Sequence, residues 1–186
     1  MKKCTFVTGN PRKIRDMRKA CLEFGIEVEQ KDLAMDETQS HDPHQISLAK
    51  AEKAFELNGQ QPVVINDAFW QIPALKGFPG GYMKDVWQWF EPQDFVNLMQ
   101  DKQDKRICCT ETVIYKDKNH LQVISKDFWC EITGDIQGDP TTPSMEQVIF
   151  IEGKSIAEYH TAGERAFKEY IWHDFARWFA DYEPQN

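Results

Sequence analysis

Thr8-Gly9-Asn10-Pro11-Arg12-Lys13 is the hexapeptide of this 186-residue sequence whose residue types and order lend themselves most readily to chemistry. Asn is a favoured helix N-cap and Pro a favoured first helical residue, so a helix should begin here, directly after the β-prone run Cys4-Thr5-Phe6-Val7. A helix start that leaves backbone N–H groups unpaired is an anion site. Arg12 and Lys13 then fall in the first turn. Exposed cations there oppose the helix dipole at about 0.3–1 kcal/mol each, and a bound phosphate reverses that sign. The alternative is a solvated basic turn whose long side chains bend away. The stretch is not a Walker loop, because it lacks G-x-x-x-x-G-K-[ST].

A second chemical group stands at Asn66-Asp67, after Pro62-Val63-Val64-Ile65. A buried-type strand ending there delivers a carboxylate to the edge of a sheet where α/β folds gather ligands. Asp67 can hold Mg²⁺, which takes one or two carboxylates plus phosphate oxygens and water, or it can simply cap a turn. Downstream, Gly77-Phe78-Pro79-Gly80-Gly81-Tyr82-Met83-Lys84 lets backbone approach a ligand closely, and Lys84 adds a point charge suited to phosphate. Together these groups are compatible with a triphosphate and its metal.

The elements that must position them read as follows. A helix follows Asn10 with Ile14, Met17, Cys21 and Phe24 on one face; Ile26 to Glu29 is a strand; Ile46 to Leu57 is a helix with Leu48, Ala51 and Phe55 at helical spacing, ended by Asn58-Gly59. The stretch from Pro73 to Gly81 reads as a loop, and Asp94 to Gln100 as a short helix after Pro92. Ile107 to Tyr115 and Leu121 to Ile132 form a long hairpin turning at Asp117-Lys118-Asn119, and Gln147 to Ile151 is a further strand. A final helix carries Phe167, Ile171, Phe175, Trp178 and Tyr182 on one stripe. Overlapping βα units with a long hairpin imply an α/β fold in two lobes, residues 1–186 forming a single domain, with the site in a cleft between the lobes.

Composition bounds the partners. With 41% hydrophobic residues, 12 Phe and 6 Trp, the chain can bury a core. With 22 Lys+Arg against 30 Asp+Glu it carries a net charge of −8, which repels a nucleic-acid polymer. No apolar run reaches the length of a membrane span, and Met1-Lys2-Lys3 leads into no signal-peptide-like segment, so a cytoplasmic address is expected. Cys4, Cys21, Cys108, Cys109 and Cys130 include no C-x-x-C pair and read as buried free thiols.

In order along the chain, Phe6 to Lys13, Gln45-Ile46-Ser47-Leu48-Ala49-Lys50-Ala51, and Asn66-Asp67 with Ala74 to Tyr82 resemble the inosine triphosphate pyrophosphatase family, with a weaker echo at Gly153 to Glu158. These enzymes hydrolyse non-canonical purine nucleoside triphosphates to monophosphate and pyrophosphate. The resemblance implies a long curved mixed sheet flanked by helices, a homodimer, and Mg²⁺ with the triphosphate in the cleft. Carried over by residue, Thr8, Gly9, Asn10, Arg12 and Lys13 would bind the triphosphate with Lys84, and Asp67 would serve the metal and the attacking water. Mg²⁺ and lysines would neutralise charge on the phosphoryl oxygens while the carboxylate positions water.

The sequence departs from that family where the chemistry sits. The family's metal-binding glutamate is Gln45, and the acid before Asp67 is Asn66, each keeping side-chain shape while losing charge. An amide oxygen can ligate Mg²⁺ but cannot act as a base. Asp36, Glu37, Asp42 and His44 are candidates to compensate, although each also reads as an exposed loop residue. The family's F-G-x-D-P reads Pro143-Ser144-Met145-Glu146-Gln147, which keeps an acid, Glu146, for the base but no stacking aromatic. Its later S-H-R has no counterpart in register; His173 and Arg177 lie in an amphipathic helix. Trp70, Trp87, Trp89 and Trp129 are candidates for the missing stack, or are simply buried. The expectation is a Mg²⁺-dependent nucleoside triphosphate pyrophosphohydrolase with an altered base preference. Its alternative is a nucleotide-binding protein that has lost catalysis.

Overall fold

The helix expected after Asn10 begins at Pro11, and its buried stripe is Ile14, Met17, Ala20 and Cys21. The computed structural model describes residues 1–35, 40, 42–167 and 170–183. In chain order the elements are β1 (Lys2–Val7), α1 (Pro11–Leu22), β2 (Ile26–Lys31), α2 (Pro43–Leu57), β3 (Val63–Ile72), β4 (Phe78–Gly80), α3 (Met83–Trp89), α4 (Pro92–Met99), β5 (Arg106–Lys116), β6 (Leu121–Ile132), β7 (Ile149–Ile151), β8 (Lys154–Ser155), α5 (Ile156–Thr161) and α6 (Ile171–Asp181). Short 3₁₀ turns stand at Pro73–Leu75 and Ser144–Gln147. The fold is mixed α/β, with eight hydrogen-bonded strands in the order β2-β1-β3-β5-β6-β7-β8 and β4 on β3. β1 runs parallel to β2 and β3, whereas β4, β7 and β8 add antiparallel pairs.

The chain divides into two compact units, the first built from Met1–Ala68, Glu111–Lys126 and Tyr170–Asn186, the second from Phe69–Thr110 and Asp127–Glu169. In the first unit the start of β3 and the end of β1 have both faces covered, so Val63-Val64-Ile65 and Phe6-Val7 are continuously apolar, whereas β2 alternates buried and exposed residues. Phe6, Val64, Val113 and Tyr115 pack against α1 and against Ile171, Trp172, Phe175 and Phe179 of α6. Val7, Val63, Ile65 and Ile114 point the other way, onto Ala51, Ala54 and Phe55 of α2. Each large apolar side chain so buried contributes about 1.5–3 kcal/mol. The β5–β6 turn is tied in by Asp117, whose carboxylate accepts from the hydroxyls of Tyr115 (3.0 Å) and Tyr182 (2.7 Å) and from the N–H groups of Asn119 and His120. Burial works to raise the Asp117 pKa, but these bonds from Tyr182, Asn119, Tyr115 and His120 together hold it below the ordinary value.

In the second unit Trp70 and Ile72 of β3, Ile107 and Cys109 of β5, and Phe128, Cys130 and Ile132 of β6 form a core closed by Met83 and Val86 of α3, Phe95 and Met99 of α4, and Ile156 of α5. All five cysteines are buried, as expected. Burial, with Cys108 nearby, pushes the Cys130 thiol up to about 12.

Several expectations need correction. Leu48 is 38% exposed, and Ser47 takes the buried place in that turn of α2. Helix α2 begins earlier than expected, at Pro43, because Asp42 caps it. β3 does not stop at Asp67 but continues to Ile72 and pairs with β4, inside what reads as a loop from its Pro and Gly content. α3 fills residues to which the sequence reading assigned no element. Residues Ser144–Gln147 form a 3₁₀ turn, leaving Ile149–Ile151 as the strand. Phe167 lies outside the last helix and stacks on Phe128 at 4.4 Å between ring centroids.

Candidate functional site

The site in the first unit forms where three elements end or pass together. β1 pairs in parallel with β2, Val7 opposite Lys31, and with β3, Phe6 opposite Val64. Counting on along parallel strands, the Thr8-Gly9 loop runs beside Asp32 and beside Asn66-Asp67. Thr8 is held on both sides: its N–H donates to Lys31 O at 2.9 Å, and its carbonyl accepts from Gln30 Nε2 at 2.9 Å. Asn10 N donates to Thr8 Oγ1 at 3.1 Å, closing the turn.

The helix start departs from the sequence expectation. Asn10 Oδ1 accepts from Arg12 N at 2.9 Å and Lys13 N at 3.3 Å, and Ile14 N donates to Asn10 O at 3.2 Å. Pro11 has no N–H, so the first-turn amides that were to form an anion cradle are already paired. The N-cap that makes the helix start legible is the same group that fills it. What this loop presents to an anion is therefore side-chain charge.

That charge is directed at Asn66 and Asp67, within the adjacent strand β3. Lys13 Nζ donates to Asn66 O at 3.1 Å. From α2, Lys50 Nζ lies 2.9 Å from Asp67 Oδ1, with both side chains about one-fifth exposed (19% and 21%). Ser47 Oγ donates to Asp67 Oδ2 at 3.4 Å. The facing follows strand parity: Ile65 points onto α2, so Asp67 two residues on meets Ser47 and Lys50 of that helix. Asn66 takes the opposite face, is 6% exposed, and donates from Nδ2 to Thr112 O of β5 at 3.1 Å. Gln45 is exposed in the first turn of α2, its amide oxygen accepting from Ser40 Oγ at 3.3 Å.

Among the residues expected from sequence, Thr8, Gly9, Asn10, Arg12 and Lys13 form one loop, and Lys13, Asn66 and Asp67 are brought together. Lys84 and Glu146 belong to the second unit. Lys84 is exposed in the first turn of α3. Glu146 is 6% exposed on its 3₁₀ turn and lies 2.7 Å from Nδ1 of His160 in α5. Trp70 is buried, Trp129 is 53% exposed beneath the Arg106 guanidinium, and Trp89 is 71% exposed. His173 pairs with Glu23 at 3.4 Å and Arg177 with Asp174 at 3.7 Å, which gives both a place in the surface of the first unit. Of the proposed compensating residues, Asp42 caps α2 and His44 donates its N–H to it; Asp36 and Glu37 lie outside the described residues.

The sequence reading gave no role to four residues: Ser47 and Lys50, quoted only within the segment Gln45 to Ala51, and Asp32 and His160. A polar pair one helical turn apart beside Ala51 and Ala54 is the available signal for the first two. Asp32 directly follows β2, and a Cβ added to Gly9 would sit 3.0 Å from each of its carboxylate oxygens, so the loop requires glycine for space.

As a resident Mg²⁺ site this donor set falls short. The ion favours carboxylate, phosphate and water oxygens in octahedral geometry. Asp67 is its one carboxylate and is ion-paired, and the amide of Asn66 points away toward Thr112. Among the described residues no group of three His, Cys, Asp or Glu side chains is arranged to hold a metal. What the arrangement offers is two ammonium groups and a carboxylate at one point along β3, suited to a polyphosphate and a water.

The sequence profile of the Ham1 family matches residues 4–162. A dITP/XTP pyrophosphatase of Methanopyrus kandleri is 31% identical over 138 residues, covering 74% of this chain and 71% of that protein. One of Ignicoccus hospitalis, with the same name, is 28% identical over 142 residues, covering 75% and 72%. Inosine triphosphate pyrophosphatase 1 of Trypanosoma cruzi is 34% identical over 113 residues, covering 61% and 57%. Among solved structures, a HAM1 protein from Coxiella burnetii superposes with a TM-score of 0.79 at 13% identity, covering 98% of this chain and all (100%) of that one. The Ham1 protein of Staphylococcus aureus gives 0.68 at 18% identity, covering 84% and 86%.

Proposed function

This chain belongs to the Ham1 family, and we propose that it is a nucleoside triphosphate pyrophosphohydrolase acting on non-canonical purine nucleotides. The observation that carries the reading is the convergence of Lys13 and Lys50 on Asn66 and Asp67. Water attacks the α-phosphorus, the bond to the bridging oxygen breaks, pyrophosphate leaves with that electron pair, and the water's proton passes to a base. Asp67 is the group in position to orient the water and take the proton. The ammonium groups of Lys13 and Lys50 stabilise negative charge that builds on the phosphoryl oxygens. Arg12 adds positive potential at the same loop, and Thr8, Gly9 and Asn10 set its shape. The substrate is written as the magnesium complex of the nucleotide. Lys84 as a further phosphate contact and Glu146 as a contact to the base belong to the same proposal, as does a homodimer.

The rewritten base segments, Pro143 to Gln147 and the absent S-H-R, motivate an altered base preference. The test is pyrophosphate release from a panel that includes ITP, dITP, XTP and the common purine and pyrimidine triphosphates with Mg²⁺. Release from inosine or xanthosine nucleotides is expected. No release from any nucleotide at high enzyme concentration, with nucleotides still raising the melting temperature, would replace the reading with a binding protein.

A further inference from the structure

The amides of Asn66 and Gln45 both have structural partners, which bears on how a divalent cation reaches Asp67. Position 66 faces a carbonyl: Asn66 Nδ2 donates to Thr112 O at 3.1 Å, in a place 6% exposed to solvent. A carboxylate there has no proton to donate and would set two acceptors against each other in a buried site. Asparagine at 66 therefore answers its neighbour, and the charge it lacks cannot be restored without losing that bond. Position 45 lies exposed, its amide oxygen engaged by Ser40. Among the described residues, Asp67 has the Lys50 ammonium at 2.9 Å and the Lys13 ammonium on the neighbouring Asn66 carbonyl, and the other carboxylate of the loop, Asp32, lies against Gly9. A free divalent cation approaching Asp67 meets these two ammonium groups. A metal–triphosphate complex, still an anion, meets attraction.

Resting on the nucleotide-hydrolysing reading above, we propose that Asp67 and its described neighbours hold no divalent cation in the absence of nucleotide. The cation enters already bound to the nucleotide, and Lys50 masks Asp67 until phosphate draws the ammonium away. Lys50 is thus a positioning residue for Asp67: its long flexible stem, a fifth exposed, lets the ammonium leave the carboxylate for a phosphate oxygen without moving α2.

The experiment is Mn²⁺ binding to the full chain, followed by electron paramagnetic resonance and calorimetry. Without nucleotide, no saturable binding is expected at millimolar Mn²⁺. With a non-hydrolysable inosine triphosphate analogue, stoichiometric loss of the free Mn²⁺ signal is expected. Saturable binding by the nucleotide-free chain that disappears in Asp67→Asn would overturn the proposal. Lys50→Met, with Lys50→Gln as a second variant if the first misfolds, should raise nucleotide-free Mn²⁺ affinity at least tenfold; unchanged affinity in a folded variant would refute the masking role. The nucleotide-free measurements need no substrate, and pyrophosphate release from the wild-type chain tests the underlying reading separately.

Discussion

Asp67 in the first unit and Glu146 in the second are both carboxylates drawn largely out of solvent and answered by a side chain able to carry positive charge. Asp67 stands on a ten-residue strand with Lys50 reaching it from a helix, the two side chains 21% and 19% exposed. Glu146 stands on a 3₁₀ turn between the buried Met145 and Gln147, its side chain 8% exposed, with His160 at 2.7 Å. Lysine brings a flexible stem and a compact ammonium, whereas His160 is charged only when protonated. The first pair sits where a phosphate and water can compete for both partners. The second joins a turn to α5 within the packing of its own unit. The Asp67 pair is partly exposed with a long flexible partner, and the Glu146 pair is held more deeply by a shorter one.

The sharpest way to break this contrast is to remove each carboxylate. Asp67→Asn should lower pyrophosphate release by about 10²–10⁴-fold while leaving the melting temperature close to wild type. Equal loss in Glu146→Gln at unchanged stability would erase the distinction. Lys13→Ala should cost about 10²-fold in kcat/KM, because one charge-stabilising donor goes; steady-state kinetics on the best panel substrate measure it. Glu146→Ala should destabilise by about 1–3 kcal/mol in urea unfolding, the loss of the hydrogen bond that its buried carboxylate shares with His160. Asn10→Ala removes the cap of α1 and should cost about 1 kcal/mol, lowering the melting temperature by about 2–4 °C.

The smallest effect concerns pH and lies far from both pairs. The Asp117 pKa is held below its ordinary 3.8 in the folded chain by four hydrogen bonds that outweigh burial. A depressed carboxylate stabilises the fold above its unfolded pKa, and that contribution is lost as pH falls through the folded value. Urea unfolding followed downward from pH 4 should lose stability more steeply in the wild type than in Asp117→Asn.

Much of the first unit was legible because its signals are local. Asn10-Pro11 fixes a helix start, Val63-Val64-Ile65 announces a strand covered on both faces, and Asp117-Lys118-Asn119 marks the hairpin turn. At the candidate site, Lys13 and Asp67 stood out by residue type, and the fold brings the Lys13 ammonium to Asn66, next to Asp67 on β3. Lys50 did not stand out, because its meaning depends on strand parity meeting a helix turn, a long-range coincidence. The anion-binding amides were misread for the opposite reason: the capping signal was correct, but its own oxygen occupies those donors. In the second unit, β4 and α3 hid behind Pro79, Gly80 and Gly81, since tertiary pairing with Trp70, Gln71 and Ile72 overrides turn composition. His160 gave no local signal that it would meet Glu146.

The first unit is assembled from three separate stretches of chain, and the last of them brings Ile171, Trp172, Phe175, Ala176 and Phe179 into a core that Phe6 and Met17 begin. Lys2 Nζ, near the start of the chain, donates to the carbonyls of Ala180 and Tyr182 at 2.7 and 2.6 Å. During synthesis the unit bearing the phosphate loop therefore has to wait for residues beyond 170, while the second unit has its own core residues in hand before they emerge. Nascent β1 and α1 spend that interval with an apolar face uncovered, so folding of the first unit is paced by translation of the residues beyond 170.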